Sequence, residues 1–126
     1  MTKEDKDLVI KDMLARLPYG LYVKRNNETI PFNEGIENDV IGSFGYLIDS
    51  LSNKDVIKPY LRPMSSMTEE EQDEFLNLII PVDGGKAVVE ESKIDEYTTF
   101  LNSHHFDYRG LIEKGLALEA VERMYN

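Results

Sequence analysis

The sequence predicts an α+β fold: a small antiparallel sheet, arranged as a meander, with three to four packed helices, all in a single domain over residues 1–126. Three patterns predict it. Apolar residues recur at helical spacing near the N-terminus. Short alternating runs separated by turn residues follow. Helical spacing then returns behind a capping signal at Thr68. At 126 residues the chain is long enough to bury a core without cross-links.

Residues 2–17 read as a helix. Thr2 can cap it, Glu4 and Asp5 suit its first turn, and Val9, Ile10, Met13, Leu14 and Leu17 form one stripe. Pro18 ends it, and the helix is expected to cover one face of the sheet. Residues 20–25 alternate through Leu21 and Val23, and residues 28–32 through Ile30 and Phe32. With Asn26-Asn27 between them they predict a hairpin. Residues 33–38 read as a loop. Residues 39–49 read as a further strand through Val40, Phe44, Tyr46 and Ile48, with Gly42 and Gly45 marking a bulge or bend. Pro59 and Pro63 lack an N–H, so residues 56–63 are expected to be an edge strand or a surface strap, not a central strand.

Thr68 with Glu71 forms a capping box for the next helix, with Phe75, Leu76 and Ile79 facing inward. Residues 83–86 read as a turn, and residues 86–90 as a short strand or a loop. Ser92 is the expected cap of a helix lined by Ile94, Tyr97, Phe100, Leu101 and His104. Residues 107–115 then predict a helix of about two turns. Asp107 would cap it by accepting from Arg109 or Gly110. Phe106 and Leu111 would form a hydrophobic staple, and a left-handed Gly115 would bring Leu116 back onto Leu111. Residues 116–121 alternate as a final strand.

The net charge is −10 and unevenly placed: ten acids oppose nine bases through Pro63, but fourteen oppose five from Met64 onward. Direct nucleic-acid binding needs phosphates neutralised by Lys and Arg, so it is not expected. An acidic half suits a basic protein partner, or mimicry of nucleic acid. There is no cysteine, which excludes disulfides, thiolate metal sites and cysteine nucleophiles and fits a reducing cytoplasm. The charged N-terminus does not read as a signal peptide. No apolar run approaches the roughly 20 residues needed to span a bilayer, so no membrane association is expected.

Two blocks stand out, Lys58-Pro59-Tyr60-Leu61-Arg62-Pro63-Met64-Ser65-Ser66-Met67-Thr68 and His104-His105-Phe106-Asp107-Tyr108-Arg109-Gly110-Leu111-Ile112-Glu113-Lys114-Gly115-Leu116-Ala117. At 25 of 126 residues, about a fifth of the chain, they resemble a family of short proteins from gut Bacteroidetes and their phages or mobile elements. The resemblance implies that setting and a cytoplasmic location, and no activity.

The candidate binding residues are His104, His105, Tyr108 and Arg109, with Tyr60 and Arg62 between the rigidifying prolines of the strap. Pre-organised extended segments suit peptide recognition or strand addition. No catalytic residue, metal ligand or cofactor is assigned, because two histidines and no cysteine are too few for a zinc site without distant carboxylates. Arg109 is expected to pair with an acid of the acidic half or to brace a carbonyl. His104 is expected to pack at the end of its helical stripe, and His105 to cap a carbonyl or meet solvent. The favoured function is a non-enzymatic adaptor or regulatory module that binds a protein. The alternatives are an acidic nucleic-acid mimic or anti-defence inhibitor, and a small metal-assisted or acid–base hydrolase centred on His104, His105 and Asp107.

Overall fold

The computed structural model describes residues 2–25, 27–32, 57–81 and 87–125. The loop, strand and connection expected over residues 33–55, and the turn at 83–86, lie outside the described residues. Helix α1 spans Lys3–Ala15, and Thr2 Oγ1 accepts the Asp5 N–H at 3.0 Å. Its buried residues are Val9, Asp12 and Met13, with Arg16 buried at its C-terminal end. The buried face is therefore turned by less than one residue step from the expected stripe. It carries an acid–base pair between its apolar side chains. A 3-10 turn at Leu17–Tyr19 holds Pro18, and Gly20, left-handed at φ 73°, turns the chain into the sheet.

Strands β1 (Tyr22–Arg25) and β2 (Glu28–Pro31) form the expected hairpin, with Arg25 opposite Glu28 across a two-residue connection. Strand β3 (Ile57–Leu61) and strand β6 (Leu118–Glu119) complete a four-stranded sheet in the order β2-β1-β3-β6. The fold is α+β with a mostly antiparallel sheet, and β6 joins it parallel to β3.

The proline-bounded segment is thus central, not an edge or a strap. The reason lies in which side of the strand Pro59 turns its nitrogen. Phe32 N–H donates to Leu21 O at 2.8 Å, so odd positions of β1 bond to β2 and even ones face β3. Val23 is opposite Pro59, and so they form a non-hydrogen-bonded pair in the β1–β3 ladder. On the other side, the parallel pairing with β6 begins only at Tyr60. No ladder N–H is asked of Pro59.

One further tyrosine closes this sheet. Tyr22 N–H donates to the Tyr125 hydroxyl at 2.9 Å, and that hydroxyl donates to Tyr60 O at 2.7 Å. It bridges β1 and β3 just beyond the last paired residues. Burial raises the pKa of this hydroxyl, which keeps its proton in place for the bond to Tyr60.

Two apolar clusters form the interior. The larger lies between α1 and the sheet and includes Val9, Met13, Leu21, Val23, Ile57, Leu61, Leu111 and Leu116. The smaller, of Leu78, Phe100, Leu101 and Phe106, lies between helix α2 (Glu69–Leu78) and helix α3 (Ile94–Ser103). The capping box of α2 is complete: Glu71 N–H donates to Thr68 Oγ1, and Thr68 N–H donates to Glu71 Oε1. Leu76 is exposed and Leu78 buried, because the inward phase of α2 runs through Glu71, Phe75 and Leu78. Strand β4 (Ile80–Pro81) pairs with β5 (Ala87–Val88), within the short strand anticipated over residues 86–90. Ser92 does not cap α3. It sits inside a 3-10 turn at Glu91–Lys93, and Lys93 takes the cap position without a side-chain bond. No helix among the described residues is long and apolar enough to cross a membrane.

Residues 107–115 make consecutive turns instead of the expected short helix, because Gly110 adopts φ 70° and interrupts it. The Asp107 carboxylate still caps, but farther along: Leu111 N–H donates to Oδ1 at 2.8 Å and Ile112 N–H to Oδ2 at 2.9 Å. Phe106 and Leu111 enter different clusters, so the staple does not form. The closure does form. Gly115 has φ 75°, its N–H donates to Ile112 O at 3.0 Å, and Leu116 N–H donates to Leu111 O at 2.9 Å.

A Cβ built on Gly115 meets nothing within 4 Å, so substitution there costs backbone strain alone. Gly115→Val is expected to lower the melting temperature more than Gly115→Asn, by roughly 1 kcal/mol, since Asn tolerates the left-handed region and a β-branched residue does not. Equal melts for the two variants would rule out a left-handed Gly115.

Candidate functional site

Four of the six candidate residues join two polar networks, Tyr60 lies in the sheet, and His105 is buried apart from all three. The first network is buried and centres on Asp12. Arg16, one turn on in α1, donates to both of its oxygens, Nε to Oδ2 at 2.9 Å and Nη2 to Oδ1 at 3.0 Å. Arg109 Nη1 donates to Oδ1 at 2.7 Å. One fully buried carboxylate thus holds two guanidinium groups. Arg16 Nη2 also reaches Phe106 O at 2.6 Å. The Tyr108 ring lies beside both arginines, 5.3 Å from Arg16 Cζ and 4.8 Å from Arg109 Cζ, and its hydroxyl donates to Asn102 Oδ1 at 2.8 Å. Arg109 therefore pairs with an acid of the N-terminal half, not of the acidic half. Its partner lies on α1 beside the expected apolar stripe, on the side to which the buried face is turned.

The second network lies nearer the surface and centres on Glu71. Arg62 grips this carboxylate with two bonds, Nη2 to Oε1 at 2.7 Å and Nη1 to Oε2 at 2.8 Å, and also donates to Ser66 O. His104 Nδ1 lies 3.1 Å from Oε2. The hydrogen bonds from Arg62, helped by the Thr68 N–H, hold the Glu71 pKa down at about 2 despite partial burial. The His104 ring packs on Phe100 with centroids 4.8 Å apart, and the Arg62 guanidinium lies over Phe106 at 4.4 Å. His104 thus sits where the helical stripe placed it.

His105 is enclosed and left-handed, with φ 60° and 1% exposure. Its Nε2–H donates to Tyr19 O at 2.8 Å, and its ring stacks on Tyr125 at 4.0 Å. It is thus the carbonyl-capping histidine. Burial pushes its pKa down to about 4. Tyr60 completes the six: its hydroxyl meets Thr29 Oγ1 at 3.2 Å, and its carbonyl takes the Tyr125 bond. Tyr60 and Arg62 are internal ties of a central strand, so they do not offer a strap for strand addition.

His104, His105 and Asp107 each take separate partners within the chain. Both Asp107 oxygens are held by backbone N–H groups, His105 is buried on a carbonyl, and His104 faces Glu71. Among the described residues no group of three or more His, Asp or Glu could hold a metal ion.

Two clefts open beside the networks. One, of about 340 Å³, runs from Arg62, Pro63 and Ser66 along residues 119–125. The Arg62 guanidinium on its wall is already committed to Glu71 and Ser66. The other, of about 390 Å³, lies between α2 and α3. Leu78 and Phe100 contribute apolar surface, Glu74, Asp95 and Glu96 contribute carboxylates, and His104 closes one end. Among the described residues no lysine or arginine lines it. Sequence reasoning missed this cleft, along with Asp12 and Arg16. The pair had a legible signal: an acid and a base four residues apart, in phase with Val9 and Met13.

Asp12→Ala leaves Arg16 buried without its anion and is expected to cost roughly 3–5 kcal/mol in chemical denaturation. Replacing both partners, Asp12→Leu with Arg16→Met, is expected to cost less than the single change. The His105 pKa gives a pH dependence of known sign. The unfolded chain binds a proton near pH 6.5 and the folded chain only near 4. The histidine's contribution to stability is therefore complete above about pH 6.5 and is lost as pH falls towards 4, by roughly 3 kcal/mol in all. Denaturation of His105→Asn across that window is expected to show a shallower loss than the wild type. Parallel losses would show that His105 is not held neutral.

No protein-family model, curated protein or solved structure matches this chain, so its own geometry is what speaks for function.

Proposed function

We propose that this chain is a non-enzymatic adaptor or regulatory module that binds a protein, and that it works in the cytoplasm in a phage or mobile-element setting. The observation that carries the reading is the α2–α3 cleft, an open groove with apolar surface and a carboxylate rim. Ile80 and Val88 are also exposed on the paired strands β4 and β5 that follow α2, and apolar exposure of this kind suits contact with another protein. Arg62, His105, Asp107, Tyr108 and Arg109 are each held in internal bonds, which favours binding over catalysis. The setting rests on the resemblance of the two sequence blocks. They meet in space: Arg62 N–H donates to His105 O at 2.7 Å and Asp107 N–H to Arg62 O at 2.8 Å.

Nucleic-acid mimicry finds less support. A mimic needs its acids on one continuous surface. On α2, Glu69 and Asp73 share the side of exposed Leu76, while Glu74 turns towards the cleft.

The test compares capture by the immobilised full chain and by Thr99→Trp, which fills the cleft from an exposed position on α3. A gut Bacteroidetes lysate is the source. The expected outcome is a protein recovered by the wild type and depleted roughly tenfold with the variant. Equal recovery by both, or nothing above background from either, overturns the proposal.

A further inference from the structure

We infer that the α2–α3 cleft takes a lysine- or arginine-bearing segment of the partner protein, with the aliphatic stem on Leu78 and Phe100 and the cationic head among Glu74, Asp95 and Glu96. This rests on the protein-binding reading above and specifies the chemistry of the occupant. The lining has the two parts that a long basic side chain needs. Such side chains lay their methylenes along apolar surface while the charged end stays at a polar boundary. Leu78 and Phe100 supply the surface, and three carboxylates from two helices supply the boundary.

Among the described residues the cleft brings no lysine or arginine of its own to those carboxylates. Lys93, at the head of α3, is drawn to the end of α2, where its Nζ donates to Asn77 O at 3.1 Å. Beside the cleft, Arg62 is fixed on Glu71, and His104, at the cleft's end, turns its Nδ1 to the same carboxylate. An acidic or neutral segment would leave the rim unpaired and face like charge. A purely apolar segment would cover the carboxylates without partners.

The whole chain is acidic, so the test must separate this cleft from general attraction to polycations. The probe is a synthetic amphipathic peptide of lysine and leucine, titrated into the isotope-labelled full chain and followed by amide shifts. A second peptide has glutamine in place of every lysine. We expect the lysine peptide to move amides of residues 95–104 and to bind at least roughly tenfold tighter than the glutamine peptide. Asp95→Lys with Glu96→Lys is expected to weaken it by roughly tenfold or more. The charge-matched pair Glu69→Lys with Asp73→Lys, on the other side of α2, is expected to change it by no more than about twofold, since screening limits the reach of exposed charges. Should a lysine variant fail to fold, Glu74→Gln and Glu96→Gln repeat the comparison without charge reversal. Equal weakening by the two lysine pairs, equal binding of the two peptides, or no binding of the lysine peptide overturns the inference. None of those outcomes bears on the wider reading, which stands or falls on capture by the wild type against Thr99→Trp.

Discussion

The fold depends on one carboxylate, that of Asp12. It is the anion between Arg16 on α1 and Arg109 in the turns after α3, and through Arg16 it is linked to the Phe106 carbonyl. Phe106 belongs to the cluster between α2 and α3, and Val9 and Met13 to the cluster under the sheet. The network is therefore the polar seam between two apolar bodies. Such a seam is costly to desolvate, and hydrophobic packing could replace it. What it adds is direction: fork-shaped donors on a single carboxylate fix the angle of approach more tightly than apolar side chains can.

The second network does comparable work at lower cost. Glu71 is at once the third residue of a capping box, the partner of Arg62 and the neighbour of His104. One side chain thereby fixes the start of α2, the end of β3 and the end of α3. Two walls of the α2–α3 cleft are set by that single residue, so the cleft is pre-organised on helices and does not depend on loops.

What was legible in the sequence was local. The Thr2 and Thr68 caps, the hairpin across 26–27 and the left-handed closure at Gly115 each involve residues a few positions apart, and their signals are chemical. The misreadings arose where a local rule met a distant partner. A proline's missing donor suggests an edge, but each strand residue serves only one neighbouring ladder, and Pro59 turns towards the side that asks no N–H of it. Asp107 was read as capping the nearest amides, yet Gly110 redirects the chain and the carboxylate reaches Leu111 and Ile112. Of the candidate residues, the carbonyl-capping role of His105 was foreseen. The partners of Arg109 and Arg62 were not, because Asp12 lies 97 positions from Arg109 and pairing at that range leaves no periodic trace.

The Tyr125 hydroxyl has a bearing on how the chain is made. It supplies the link between β1 and β3 beyond their last paired residues, and its ring covers His105. Synthesis runs from the N-terminus, so α1, β1, β2 and β3 emerge long before the residue that seals them. During translation that seam stays open to water, and closes only when residue 125 has cleared the ribosome. The nascent chain is thus committed to late assembly: its sheet is built from early segments but finished by a residue 65 positions after Tyr60.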